Sequence, residues 1–139
     1  MLAFDYGQRR IGLAVGQTLT ASATALGTLP ARGGTPDWGH VDTCIAQWAP
    51  ARLLVGLPYN VDGSETSTTA ACRAFGQTLA RRTGLPVEFV DERLTSAAAY
   101  DALRDERRTG TRSRRIRPGD VDANAARLIL ETWMGGGSG

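Results

Sequence analysis

The chain has 139 residues, a formal net charge of +2, and sixteen basic side chains that are all Arg. That length is one domain, able to bury roughly two-thirds of its unfolded surface in a single core. No apolar run approaches the ~20 residues of a membrane span and no signal peptide precedes the first strand, so a soluble cytoplasmic protein with no membrane partner is expected. Cys44 and Cys72 share no metal-ligand spacing. They are expected as buried free thiols, with an intermolecular disulfide through either one as a minor route. His40 is the only histidine. It falls in a predicted helix remote from the acids and is read as a surface residue.

Leu2 to Gly7 reads as a short apolar strand that ends on a carboxylate, Asp5. Gln8-Arg9-Arg10 turns the chain and Ile11 to Gly16 runs back, giving a β-hairpin. Side chains alternate along a strand, so Ala3, Asp5 and Gly7 share one face and Leu2, Phe4 and Tyr6 the other. A buried acid is costly unless it is paired, hydrogen-bonded or bound to a metal. Asp5 alone leaves two readings open, a strand-end cap of backbone N–H groups or a metal ligand.

Ala23 to Leu29 reads as a third strand that completes an antiparallel meander. Thr35-Pro36-Asp37 has the pattern of a helix start, with Thr35 as N-cap and Pro36 in the first position. Trp38, Val41, Ile45 and Trp48 then fall at helical spacing, a stripe expected to face the core. Arg52 to Pro58 is a continuous apolar run, as expected of a parallel strand buried on both faces. Tyr59 to Ser64 is a polar turn. A second helix is expected from about Thr66 to Thr83, with Cys72, Phe75 and Leu79 inward and Gly84 as the left-handed stop. Pro86 to Val90 is a strand that ends in Asp91-Glu92-Arg93. A third helix, capped by Thr95 or Ser96, is expected from Ala97 to about Arg108. A basic loop through Gly119 follows, and a last helix capped by Asp120 runs from Val121 to about Met134. The final Gly135 to Gly139 has linker composition and is left out of the domain, which spans 1–134.

The order β-β-β-α-β-α-β-α-α predicts an α/β domain: a five-stranded mixed sheet, a three-strand antiparallel meander plus two parallel strands, flanked by helices. In such sheets ligands bind beyond the carboxyl ends of the strands. Asp5 and Asp91–Glu92 share that edge if their strands are parallel. Asp122 lies on a helical stripe with Ala125, Ala126 and Ile129 and so faces inward. Taken singly these acids have ordinary readings, Asp122 serving the helix dipole and Glu92 pairing with Arg93. Three converging carboxylates with no Lys nearby call for cations, and oxygen ligands select Mg²⁺ or Mn²⁺. Arg104, Arg107, Arg108, Arg112, Arg114, Arg115 and Arg117 crowd the stretch leading into Asp122. Such a run is commonly a solvated face, but beside a carboxylate site it suits a polyanion. No Walker loop or dinucleotide fingerprint is present, and Ser and Cys lack a His partner.

Four segments together resemble one family. Phe4-Asp5-Tyr6-Gly7 with Arg10 to Gly16, Val55 to Asn60 with Asp62-Gly63, Asp91-Glu92-Arg93-Leu94-Thr95, and Val121-Asp122 with Ala125-Ala126 are similar to the motifs of the YqgF (RuvX-like) proteins. The resemblance covers nearly the whole chain to Met134. It implies the RNase H-like fold and a nuclease, the family being described both as Holliday junction resolvases and as nucleases that mature pre-16S ribosomal RNA. It implies Asp5, Glu92 and Asp122 as catalytic acids and metal ligands. In the wider superfamily the strand beside the first commonly ends in an acid; here it ends Leu57-Pro58-Tyr59-Asn60. Strands lie ~4.8 Å apart, so an acid on the next strand out stands about twice as far from Asp5. Glu92, longer than Asp91, is expected to cross that gap, with Asp91 or Asn60 supporting it. The expected chemistry is phosphodiester hydrolysis with two cations, Asp5 bridging them. Arg9, Arg10, Arg93, Arg112, Arg114, Arg115 and Arg117 are the expected contacts to nucleic acid. RNA is favoured over a four-way DNA junction, because no surface promises a stable two-fold dimer; a monomer or weak homodimer is expected. Two rivals are a non-cleaving nucleic-acid-binding module in ribosome assembly or transcription and a fragment of a sugar or nucleotide kinase. The second needs a further domain that 139 residues do not supply.

Overall fold

The computed structural model describes residues 1–17, 19–94 and 118–137. The chain opens with β1 (Leu2–Asp5), β2 (Arg10–Gln17) and β3 (Ser22–Arg32). A two-residue strand β4 (Thr35–Pro36) leads into α1 (Trp38–Trp48). Then come β5 (Leu53–Leu57), α2 (Ser67–Thr83), β6 (Val87–Asp91), a 3₁₀ turn Glu92–Leu94, and the last helix, here α3 (Pro118–Thr132). The sheet order is β4-β3-β2-β1-β5-β6. β1, β2 and β3 pair antiparallel, whereas β1–β5 and β5–β6 are parallel. This is the expected mixed sheet, with six strands among the described residues rather than five.

The extra strand comes from a misplaced helix start. Thr35 and Pro36 pair with Arg32 and Ala31. Asp37 is the N-cap, and its carboxylate accepts from the His40 backbone N–H at 3.3 Å. Both Thr and Asp make good caps, and strand pairing with β3 takes the first of them. Trp48 also departs from expectation: it is 41 % exposed, at the end of a helix whose only fully buried residue is Val41. His40 is exposed as expected. The last helix begins at Pro118, two residues before the expected cap Asp120, and Pro is well suited to a first helical position. Trp133–Gly137 forms a π-helical turn, so the first glycines of the presumed tail continue the helix. The expected helix 97–108 and the Arg-rich loop to Arg117 lie outside the described residues.

The alternation of β1 divides the core. Leu2 and Phe4 join Leu53, Val55, Phe75 and Leu79 on the side of α1 and α2. Ala3 joins Leu54, Val90, Ala126 and Ile129 under α3. β5 is buried at every position, as its unbroken apolar run requires. Phe75 is the hub of the first cluster. Phe4 meets it edge-on at 5.7 Å, and Tyr6 and Trp38 stack on it at 5.0 and 5.7 Å. The start of α2 is fixed to the end of β5 by Thr69. This fully buried residue completes a capping box with Thr66 and donates its hydroxyl to the Pro58 carbonyl. Gly84 closes α2 in the left-handed conformation at φ +70°. The far end of α3 is tied to the edge strand β6, because the indole N–H of Trp133 donates to Glu88 at 2.8 Å and Arg52 lies 5.1 Å from the Trp133 ring. Cys72 is buried and Cys44 partly so. A disulfide between copies is therefore accessible to Cys44 alone without opening the core.

Phe75→Ala removes the hub of three aromatic contacts and is expected to cost about 3–5 kcal/mol in denaturant unfolding. Trp48→Ala, at an exposed helix end, is expected to cost about 1 kcal/mol or less. Comparable losses from the two would contradict this division of the core.

Candidate active site

The site lies at the carboxyl edge of β1, on the face covered by α3. Asp5 occupies the last position of β1, and its neighbour across the hairpin is Gly12. Directly opposed residues point to the same face. A Cβ on Gly12 would coincide with the backbone carbonyl of Asp122. The missing side chain is what lets the first turns of α3 lie against the hairpin beside Asp5.

Glu92 arrives from two strands away. The alternation of β6 places Val90 under α3, and the 3₁₀ turn after Asp91 carries Glu92 back toward that face. Between β1 and β6 stands β5, whose residue at this level is Gly56, paired with Val90. A Cβ on Gly56 would lie 2.8 Å from Glu92 Oε1 and 2.6 Å from Ile129 Cδ1. The Glu92 side chain thus passes over a bare stretch of β5 toward Asp5. Burial raises the Asp5 carboxyl well above its usual range, and the charges of Glu92 and Asp122 push it further. Burial likewise raises Glu92 to about 7, with the nearby charge of Asp91. Such a pair holds a proton at neutral pH or takes a cation in its place. The same two charges, after burial itself, push the Cys72 thiol up to about 12, which keeps it neutral and inert.

Asp122 completes the acidic edge but is turned to a partner. Its Oδ2 accepts from Arg10 Nε at 2.9 Å, an ion pair between residues 112 positions apart. A hollow of about 250 Å³ lies here, lined by Gly7, Gln8, Arg9, Arg10 and Asp122. Among the described residues no three His, Cys, Asp or Glu side chains are grouped closely enough to hold a metal. Asp5 and Glu92 act on each other most directly; Asp122 acts on Asp5 through its charge, from its place on Arg10.

The other expected residues are placed apart from this pair. Asp91 is bound by Arg93, whose Nη2 donates to Oδ2 at 2.7 Å and whose backbone N–H donates to Oδ1 at 2.9 Å. Arg93 also lies 5.2 Å from the Tyr59 ring. Asn60 donates to the Ser64 hydroxyl at 2.9 Å, within its own turn. Arg9 is exposed. Arg112, Arg114, Arg115 and Arg117 lie outside the described residues. Two residues that shape the site, Gly12 and Gly56, stand in the sequence motifs with no role of their own expected for them. A glycine inside an apolar strand signals a close approach by another group, and both positions carried that signal.

A family described as "RuvX: Holliday junction resolvase" matches residues 1–136. A relative in Coxiella burnetii, named "Putative pre-16S rRNA nuclease", is 47% identical over 133 residues, covering 96% of this chain and 90% of that protein. A relative of the same name in Legionella pneumophila (strain Paris) is 45% identical over 133 residues, with 96% and 93% covered. One in Chromohalobacter salexigens is 47% identical over 134 residues, with 96% and 88% covered. Among solved structures, Thermus thermophilus RuvC in complex with a Holliday junction substrate superposes with a TM-score of 0.54 at 17% identity, over 97% of this chain and 96% of that one. At that identity the likeness establishes the fold, which is RNase H-like.

The carboxyl pair has a measurable consequence in metal-free protein. In the unfolded chain Glu92 loses its proton near pH ~4.3, and in the fold near about 7. Between these values the native state binds more protons than the unfolded state, so stability is full below the window and falls as pH rises through it. Denaturant unfolding in EDTA is expected to show this decline, and Glu92→Gln to flatten it. Equal slopes for the two proteins would mean that the pair does not share a proton.

Proposed function

Since the chain belongs to the RuvX family, we propose that it is a metal-dependent nuclease that hydrolyses phosphodiester bonds in RNA, with the precursor of 16S ribosomal RNA as its substrate. The observation that carries this reading is the convergence of two carboxyl groups, Asp5 and Glu92, across the bare Gly56, both with raised proton affinity. The names of the close relatives favour RNA.

The donor set fits a hard cation. Asp5 and Glu92 offer only carboxylate oxygens, and Asp122 adds a third carboxylate once released from Arg10. Mg²⁺ or Mn²⁺ held there would supply Lewis acidity toward a phosphate and a water activated at neutral pH. The chain's own side chains do the remaining work. Arg10 neutralises Asp122 and stands at the hollow where a phosphate would sit, so its guanidinium can pass from carboxylate to phosphate. Arg9, exposed on the same turn, adds charge without reading sequence. Val90, Ile129 and the bare Gly56 exclude water from the floor beneath the acids.

A second reading follows from the family's description, cleavage of a four-way DNA junction. It requires two sites related by a two-fold axis, since both strands must be cut symmetrically. Both readings are separated by one assay on single-stranded RNA, duplex RNA and a four-way DNA junction, with Mg²⁺ or Mn²⁺ and with EDTA. Expected is cleavage of RNA at lower enzyme concentration than the junction requires, lost in chelator. Asp5→Asn, Glu92→Gln and Asp122→Asn are each expected to lower the rate by at least about a thousandfold, ~4 kcal/mol of barrier, the first two without loss of thermal stability in EDTA. Asp5→Asn with full activity would sink the mechanism, and symmetric nicking of the junction at lower enzyme concentration would replace the substrate.

A further inference from the structure

The face of the sheet opposite the acids carries a second feature beside the same turn. A cavity of about 400 Å³ opens between the hairpin turn, β4 and the outer side of α2. Its aromatic lining is Tyr6, Trp38 and Phe75, and Ala71, Ala74 and Thr78 of α2 leave its other wall low. The aromatic rings are held in place. Tyr6 and Trp38 both stack on Phe75, Tyr6 donates its hydroxyl to the Gly34 carbonyl, and Arg82 lies 5.2 Å from the Trp38 ring. Arg82 is fixed in turn by both oxygens of Asp42. The buried hub is thus satisfied, while Tyr6 and Trp38 remain partly exposed at the cavity.

We propose that this cavity receives one unpaired nucleobase of the substrate strand, a subsite that rests on the nuclease reading and extends it. Three observations lead here. First, Tyr6 follows Asp5 directly, so the cavity and the acid pair are joined by adjacent residues ~3.8 Å apart at Cα. Second, the turn is continuous from one to the other. Gly7 to Arg10 line the hollow beside Asp122, and Gln8 meets Gly34, whose backbone N–H it accepts at 3.0 Å, at the cavity rim. Third, charge lies at both ends. Arg9 stands at the hollow and Arg32 lines the recess beyond Thr35 and Pro36, both exposed and neither ion-paired among the described residues. A strand crossing the sheet edge at this turn meets carboxylates, Arg9, an aromatic slot and Arg32 in that order. Basic groups flanking rigid aromatics are the chemistry of a single-strand track, and with the Tyr6 hydroxyl committed to Gly34 the slot stacks a base without reading its edge.

The test measures binding in EDTA, where cleavage is off, using fluorescence anisotropy of a short labelled oligouridine and versions with one abasic residue at each position in turn. Expected is that one abasic position weakens wild-type binding about tenfold, ~1.4 kcal/mol. Trp38→Ala is expected to weaken binding of the intact strand by a similar factor, and in it the abasic residue at that position costs nothing further. Ala74→Leu fills the slot from an exposed helix position without removing any core contact and is expected to behave the same way, so that a folding defect in Trp38→Ala does not decide the matter. Wild-type affinity in Ala74→Leu, an abasic cost that persists in both variants, or no affinity for single-stranded RNA would each overturn the proposal. Failure of the nuclease reading has a different signature, slot-dependent binding with no cleavage when Mg²⁺ is restored.

Discussion

Two carboxyl groups, one ending β1 and the other in the turn after β6, converge at a half-buried sheet edge, and the surrounding structure is shaped to permit it. Placing acids together away from water is unfavourable unless a proton or cation joins them. The chain meets the geometric part of this demand with omissions. Gly56 leaves β5 bare so that Glu92 can cross it, and Gly12 leaves β2 bare so that α3 can approach with Asp122. Ala3 and Ala14 keep the same face shallow, and Ala126 does so on the helix side. A methyl group at either glycine would strike a backbone carbonyl or a carboxylate.

The other face of the sheet supplies what this face gives up. Phe4, Phe75, Leu53, Val55 and Leu79 form the larger cluster, with Tyr6, Trp38 and Phe89 packed on it. Aromatic burial of this kind dominates core energetics. β1 belongs to both faces, since Phe4 and Tyr6 anchor it while Asp5 is presented by it. The acids therefore stand on a strand held from behind, which is how a strained electrostatic site keeps its geometry.

Much of this was legible in the sequence, for reasons that are local. Period-two alternation placed Asp5 opposite Phe4 and Tyr6, and the unbroken apolar run of 53–57 marked a strand buried on both faces. Strand spacing and side-chain length pointed to Glu92 rather than Asp91 as the acid that reaches Asp5, and in the structure Asp91 is bound to Arg93. What escaped depends on partners distant in the chain. Arg10 and Asp122 pair across 112 positions, and no local pattern announces that. Thr35 carried a plausible capping pattern until pairing with Arg32 overrode it. Trp48 sat on an inward stripe, but α1 ends there and Ala49 leaves the helix in a left-handed conformation at φ +42°, so the ring is left partly exposed. Nor did the sequence show that the hairpin turn joins the acid edge to an aromatic cavity, because that cavity is assembled from three separate segments.

On the proposed reading, Asp5 and Glu92 together hold a proton that a divalent cation displaces. Calorimetric titration of the metal-free protein with Mn²⁺ at pH 6.5, repeated in buffers of different ionisation enthalpy, measures the protons released on binding. Release of about one proton per binding event is expected in the wild type and close to none in Glu92→Gln. Binding without proton release, or release unchanged in Glu92→Gln, would contradict it.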